Sequence, residues 1–347
     1  MIEAKFILSK KKLLEQVRIL EDLGLKISYS YKTNREVGDV LQEISNVDFS
    51  IHARGEVEMI KDKKRIWFFL QAENTKEILD ILNNGVKNLV VDNEIDLQTL
   101  LEVLEKNNIK VNLSLRMKFQ EHRIGSGKYF VYGLSSIKIN KIISKIKDNL
   151  HIDKLGIHIH RKSQNTSEWE IKQELEDSLE LENLRRIDII NFGGGLPAIY
   201  RNYTGKVFAY IFNKIKESVD WLKKFDIELY IEPGRFLASP SIKLETEIIQ
   251  IQENNLVVNT TIYNCALDTV LTGTKMLVES ELDDCEEGKF YLIKGNSPTR
   301  DDIFRYKVKL KNPQVGDKIV FLNAGAYNYT TDFFGYNKLR TEIVEDF

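Results

Sequence analysis

Lys32 stands in Ile27-Ser28-Tyr29-Ser30-Tyr31-Lys32-Thr33-Asn34, directly after a run that reads as a strand. An amine projecting from a strand's end into a partly desolvated mouth can form a Schiff base with a carbonyl. Alone, such a lysine is an ordinary solvated loop residue, so its companions decide. In Asn191-Phe192-Gly193-Gly194-Gly195-Leu196-Pro197, consecutive glycines let backbone N–H groups cradle a phosphate, or simply make a tight turn. Ile231-Glu232-Pro233-Gly234-Arg235 sets a carboxylate and a guanidinium at another strand's end. Arg235 suits a phosphate and Glu232 suits a protonated ring nitrogen, the plainer alternative being a structural ion pair or helix cap. In His158-Ile159-His160-Arg161-Lys162-Ser163-Gln164, a period of two puts His158 and His160 on one face. That spacing also suits a metal pair, but no third ligand motif accompanies it and a phosphate-type loop does, so no metal is expected.

These residues need strands that end at one common mouth. Short apolar runs at Lys26–Tyr31, Val47–His52, Ile66–Leu70, Asn88–Val91, Lys110–Met117, Lys154–His160, Ile187–Phe192 and Glu228–Ile231 alternate with helical patterns such as Thr75–Asn83, Glu94–Lys106, Ser135–Lys147 and Ser167–Glu182. The alternation predicts a parallel sheet covered by helices, and this number of units predicts an α/β fold of the closed (β/α)8 TIM type, whose reactive groups gather at the C-terminal strand ends. From about Ala238 the texture becomes strands without helices: Ile242–Gln252, Leu256–Tyr263, Phe290–Ile293, Tyr306–Leu310 and Lys318–Asn323. The expected division is a barrel over residues 1–237 and an all-β domain over 238–347.

Composition narrows the function classes. The chain has 347 residues, 42% hydrophobic and 29% charged, which is ordinary globular composition. Lys+Arg 50 against Asp+Glu 52 gives a net charge of -2, so no basic excess points to nucleic acid or an anionic membrane. The N-terminal MIEAKFILSKKKLLEQ is neither a signal nor a transit peptide, and the two cysteines, Cys265 and Cys285, form no metal or disulfide motif. A cytoplasmic setting is expected.

Taken together, from Tyr31-Lys32-Thr33-Asn34 to Gly325-Ala326-Tyr327, these motifs resemble the pyridoxal-phosphate-dependent decarboxylases of the alanine-racemase fold, a family that includes ornithine, lysine, diaminopimelate and carboxynorspermidine decarboxylases. The resemblance implies pyridoxal 5'-phosphate as cofactor, with Lys32 as its Schiff-base lysine and His160 stacked on its face. It implies Ser163, Gly193, Gly194, Gly195, Arg235 and Tyr327 on the phosphate, Glu232 on the pyridinium nitrogen and Arg116 near the cofactor oxygen. Glu56 matches a family acid. The family's site lies at a homodimer interface, which would put Asp302 of the loop Gly295–Asp302 in the partner's pocket. Glu232 separates the decarboxylases from the racemases, which place an arginine there; a protonated ring is the stronger electron sink.

The chain also departs from the family. The loop's usual cysteine position falls on Pro298, leaving the proton donor unassigned. Lys162 replaces a glycine, Ser50 stands where many relatives have aspartate, and an Arg/Lys-Phe-Gly element is only approximated by Lys128-Tyr129-Phe130. The expected substrate is a small-molecule basic L-amino acid of the ornithine or lysine kind, its distal amine met by Asp302, Asp301 or Asp268. Diaminopimelate is the alternative, its distal carboxylate met by Arg300 or Arg340, with carboxynorspermidine a third reading. A catalytically inactive cofactor-binding homologue is the non-enzyme alternative.

Overall fold

The computed structural model describes residues 2–119, 132–328, 330–332 and 335–347. Lys128-Tyr129-Phe130 lies outside the described residues. The chain opens with β1 (Lys5–Ser9), followed by β2 (Lys26–Ser30), β3 (Asp48–Ile51), β4 (Ile66–Phe69), β5 (Asn88–Val91), β6 (Val111–Arg116), β7 (Ile152–His158), β8 (Ile189–Asn191) and β9 (Glu228–Ile231). β2 to β9 pair in parallel and in order, and β9 pairs back to β2 to close a barrel.

Period-two alternation builds this barrel. Outward positions such as Phe49, Ile51, Phe68, Leu89, Leu113 and Ile157 are fully buried. The alternate positions hold a small apolar cluster of Trp67, Phe69, Val90, Ile189 and Tyr230 together with polar groups that bond to one another: Ser28 Oγ to Ser50 Oγ at 2.8 Å, Asn112 Nδ2 to Asn88 Oδ1 at 2.8 Å and Trp67 Nε1 to Asp48 at 3.2 Å. At the N-terminal end Lys26 and Lys154 both pair with Glu228. Polar groups in a lumen of this kind are stable because their donors and acceptors satisfy one another.

Asparagines at the strand ends start the helices. Asn34 caps Arg35–Ile44, Asn74 forms a capping box with Glu77 at Thr75–Asn83, and Asn93 caps Glu94–Asn107. The pattern at Ser167–Glu182 resolves into two shorter helices, Ile171–Ser178 and Leu181–Leu184. The backbone between them is extended at Leu179 and Glu180.

The second half adds β10 (Ile242–Gln252), β11 (Asn255–Val258), β12 (Leu277–Val278), β13 (Lys289–Lys294), β14 (Ile303–Leu310), β15 (Lys318–Leu322) and β16 (Thr341–Val344). They form a largely antiparallel sheet of order β12-β15-β10-β11-β13-β14. β1 joins it, antiparallel to β10 and parallel to β16. The chain's first strand therefore belongs to the sheet by hydrogen bonding, although it lies in the segment expected to be barrel. The expected strand Leu256–Tyr263 ends early: Thr261 and Asn264 make a capping box and start the helix Ile262–Cys265, followed by Leu267–Thr272. A reciprocal cap overrides the β-branched composition here. Among the described residues no helix is long and apolar enough to cross a membrane.

Candidate active site

The strand ends converge on a cavity of about 320 Å³ lined by Lys32, His52, Phe69, Leu70, Gln71, Val90, Asp92, Arg116, Tyr132, His158, His160 and Glu232. Lys32 sits on a single 3-10 turn, Tyr31–Thr33, clamped from both sides. Asn34 donates its amide to Gly325 O at 2.8 Å, and Tyr327 N donates to Thr33 O at 2.9 Å. The Lys32 ammonium opens onto the cavity, where crowding by the walls, helped by Arg116, lowers its pKa; Glu232 and Glu56 pull the other way. A lysine so depressed is a better nucleophile near neutral pH.

Glu232 lies at the base of the cavity and is 4% exposed. Its Oε1 accepts from Ser50 Oγ and Asn191 Nδ2, each at 2.9 Å, and its Oε2 from His158 Nε2 at 3.0 Å. Burial pushes this carboxyl up, but its interaction with His158, joined by His160 and His52, more than offsets that and brings it down to about 2. It is ionised at any working pH. The His160 ring faces the open cavity, and crowding by the groups around it, with the charge of Arg116, lowers its pKa.

The glycine loop is fixed by what it touches. Gly193 has φ +66, and a Cβ there would stand 1.9 Å from Ile159 O, so only glycine fits. Its N–H donates to Asn191 Oδ1 at 2.8 Å. Gly194 N–H donates to His160 Nδ1 at 3.2 Å, which puts the remaining imidazole proton on Nε2. His158, His160 and Glu232 have ligand atoms within 4.8 Å of one another, but this tautomer leaves His160 no free lone pair for a metal.

Beside the loop, Arg235 is 4% exposed and makes a bidentate pair with Asp268, at 2.6 and 3.0 Å, across the junction of barrel and sheet. It also reaches Tyr200 Oη at 3.0 Å and Ser163 Oγ at 3.2 Å, and lies 5.1 Å from the Tyr327 ring. Gly234, which opens its helix, passes so close to Thr33 that a Cβ would meet Oγ1 at 2.1 Å. Ser163, Arg235 and Tyr327 thus lie together, and the glycine loop adjoins the cavity through the contact of Gly194 with His160. The glycine cradle, the guanidinium and the ionised base suit a phosphate joined to a protonated ring, so these residues fit pyridoxal phosphate.

Other expected residues fall elsewhere. Glu56 accepts from His52 N at 3.4 Å and sits within electrostatic reach of Lys32. Asp302 is fully buried in its own loop, accepting from Ile262 N at 2.9 Å and Ser297 N at 3.0 Å, which corrects the expectation that its carboxylate reaches a partner's pocket. Asp268 is likewise committed, to Arg235. Arg340 pairs with Glu3 at 3.6 Å, and its carbonyl accepts from Phe6 N at the start of β1; Arg300 and Asp301 are exposed. Cys265 is buried, which pushes its thiol up to about 12 and makes it a poor proton donor.

Sequence reasoning missed His52, Phe69, Asp92, Tyr132 and Tyr200. His52 was within reach, since it lies two residues after Ser50 on the same face of a strand end. The ring of His52 stacks on Phe69 at 4.6 Å, and Phe69 meets His158 edge-on at 5.0 Å.

Fold and site together define a barrel enzyme of the kind that uses a phosphorylated pyridine cofactor. The chain belongs to the pyridoxal-dependent decarboxylases: the model of that family's pyridoxal-binding domain matches residues 9–239. Solved structures agree on the fold. The lysine decarboxylase of Selenomonas ruminantium superposes with a TM-score of 0.80 at 17% identity, covering 100% of this chain and 94% of that one. Diaminopimelate decarboxylase from Helicobacter pylori, complexed with L-lysine, gives 0.80 at 18% identity over 100% and 93%. Lysine/ornithine decarboxylase from Vibrio vulnificus, complexed with putrescine, gives 0.75 at 18% over 99% and 95%. No curated protein sequence matches the chain.

Proposed function

We propose that the chain removes the α-carboxyl group of a basic L-amino acid, releasing carbon dioxide and a diamine or polyamine precursor. Pyridoxal phosphate, when bound, supplies the sink for the electron pair that the departing carboxyl group leaves behind. Lys32 would be the residue that holds the cofactor's aldehyde carbon, its amine facing the cavity. Glu232 keeps the ring nitrogen's proton in place, while Arg235, Ser163, Tyr327 and the Gly193–Gly195 backbone hold the phosphate. His160 would stack on the ring's face, Arg116 would lie near the cofactor's oxygen, and Glu56 adds negative charge beside Lys32.

The observation that carries the choice of a basic substrate is the groove that continues from the cavity past Gln71 and Asp92. It is lined by the carboxylates of Glu73, Asp92, Glu94 and Asp96 against the amines of Lys118 and Lys138. Lys138 is paired with Glu94, so the remaining charge favours a cationic side chain. One observation favours a second reading, a distal carboxylate as in diaminopimelate: Arg300 is exposed on a loop whose Asp302 is withdrawn. In both readings the working form is a homodimer with the loop from Gly295 to Asp302 turned toward the neighbouring cavity. Carbon dioxide release from ornithine, lysine, arginine, diaminopimelate and carboxynorspermidine tests the choice. Turnover of ornithine or lysine above diaminopimelate is expected, and the reverse order would establish the second reading.

A further inference from the structure

Glu232 is held by neighbours on both oxygens, and they are unequal. Ser50 and Asn191 share Oε1 and are neutral donors, Ser50 being tied in turn to Ser28. His158 alone bonds Oε2. A carboxylate has about four lone-pair positions, so three are taken and one remains for a donor from the cavity. The His158 ring is fully buried and pinned, edge-on to Phe69 at 5.0 Å and nearly parallel to His160 at 6.3 Å. Its Nδ1 has no hydrogen-bond partner among the described residues, so Glu232 is the group among them that fixes how this ring is turned.

We propose that His158 is a positioning residue: by donating its Nε2–H to Oε2 it fixes the Glu232 carboxylate in one orientation and keeps it ionised, so that the proton between Glu232 and the cofactor's ring nitrogen stays on the ring. Position 50 is compatible with this. A second carboxylate there would share a proton with Glu232, as like charges in one buried site do. With Ser50 neutral, Glu232 is the lone acid among these four side chains, and His158 is its partner of opposite polarity. The low pKa of Glu232 is in keeping with this, since the interaction with His158 is the leading influence opposing burial.

The test needs no substrate, so its failure is distinct from a failure of the substrate assignment. Protein loaded with ring-nitrogen-labelled pyridoxal phosphate should give the resonance of a protonated pyridine nitrogen across the neutral range. In His158→Phe, which keeps a flat ring but loses the donor, the resonance should move to the unprotonated position. His158→Gln, whose amide can still donate, should restore it at least in part. A protonated resonance in His158→Phe overturns the proposal. If that variant takes up no cofactor, histidine-labelled wild-type protein decides: a hydrogen-bearing Nε2 bonded to carboxylate supports the assignment, and a bare Nε2 overturns it.

Discussion

Replacing Asp268 by asparagine should cost the cofactor-free protein far more than the loaded one. The Arg235 guanidinium is almost wholly buried, and Asp268, 2% exposed, is its one carboxylate partner among the described residues. Burial works against the guanidinium's charge, and the bonds to Asp268 reverse that effect. Removing one partner of such a pair strands a buried charge at about 3–5 kcal/mol, and the low end applies because the amide keeps one acceptor and Tyr200 still accepts. At roughly 1.4 °C per kcal/mol for a chain of 347 residues, the melting temperature should fall by about 4 °C. A bound phosphate supplies a second anion to the same guanidinium, so saturating pyridoxal phosphate should recover half or more of the loss. Thermal unfolding of both proteins, each with and without cofactor, measures this directly. An equal drop in both forms would show that Arg235 does not divide itself between the carboxylate and the phosphate, and would refute the reasoning.

Borohydride reduction of the loaded protein followed by peptide mapping should fix the cofactor on Lys32; label on any other lysine would remove it from the centre of the site. Gly193→Ala should lose cofactor content outright, because its Cβ would stand 1.9 Å from Ile159 O, whereas Gly55→Ala, with nothing within 4 Å, should keep it. Asp48, beside Trp67 in the barrel's lower lumen, has its pKa raised by burial from 3.8 to about 6. Because the folded value lies above the unfolded one, stability present at low pH is lost as pH rises through about 6, by at most about 3 kcal/mol. Asp48→Asn should therefore flatten the dependence of melting temperature on pH between about 4 and 8 and raise it at the upper end. Asp302→Asn should weaken one or both of its amide contacts and lower stability by about 1–3 kcal/mol with little change in KM; a KM effect at unchanged stability would return it to the substrate site.

The barrel was legible because short apolar strand runs alternate with amphipathic helical patterns along the first two thirds of the chain. Most strands carry apolar residues on the helix side and at least one Ser, Asn, Asp, Lys or Glu on the other, β4 with Trp67 and Phe69 being the exception, and Lys32, His160 and Glu232 lie at strand ends around one cavity. Pairings between distant segments were not legible. β1 is a five-residue strand whose partners, β10 and β16, lie at the far end of the chain, so nothing local marks Phe6-Ile7-Leu8 as part of a sheet. The helix Ile262–Cys265 hides in a β-branched stretch because its capping box needs Thr261 and Asn264 to face each other. Asp301 and Asp302 are adjacent acids with opposite fates, and only the amides of Ile262 and Ser297 decide which one is buried.

The two poles of the site are built differently, and this explains which residues could be read in isolation. The ring pole, Ser50, His158, Asn191 and Glu232, comes from strands or strand ends of the barrel, so its geometry follows from strand register. The phosphate pole and the lysine turn are completed from the other half of the chain. Gly325 O receives Asn34, Tyr327 N reaches Thr33 O, and Asp268 neutralises Arg235. Tyr327 accepts a left-handed backbone, φ 56, to do so, an unfavourable conformation for a tyrosine that its neighbours must stabilise. Asp268 looked like a candidate for the substrate's amine because an acid near a catalytic mouth invites that reading. Its carboxylate instead holds the Arg235 guanidinium proposed to meet the phosphate, so the β domain acts on the site by fixing that arginine and the turn that carries Lys32.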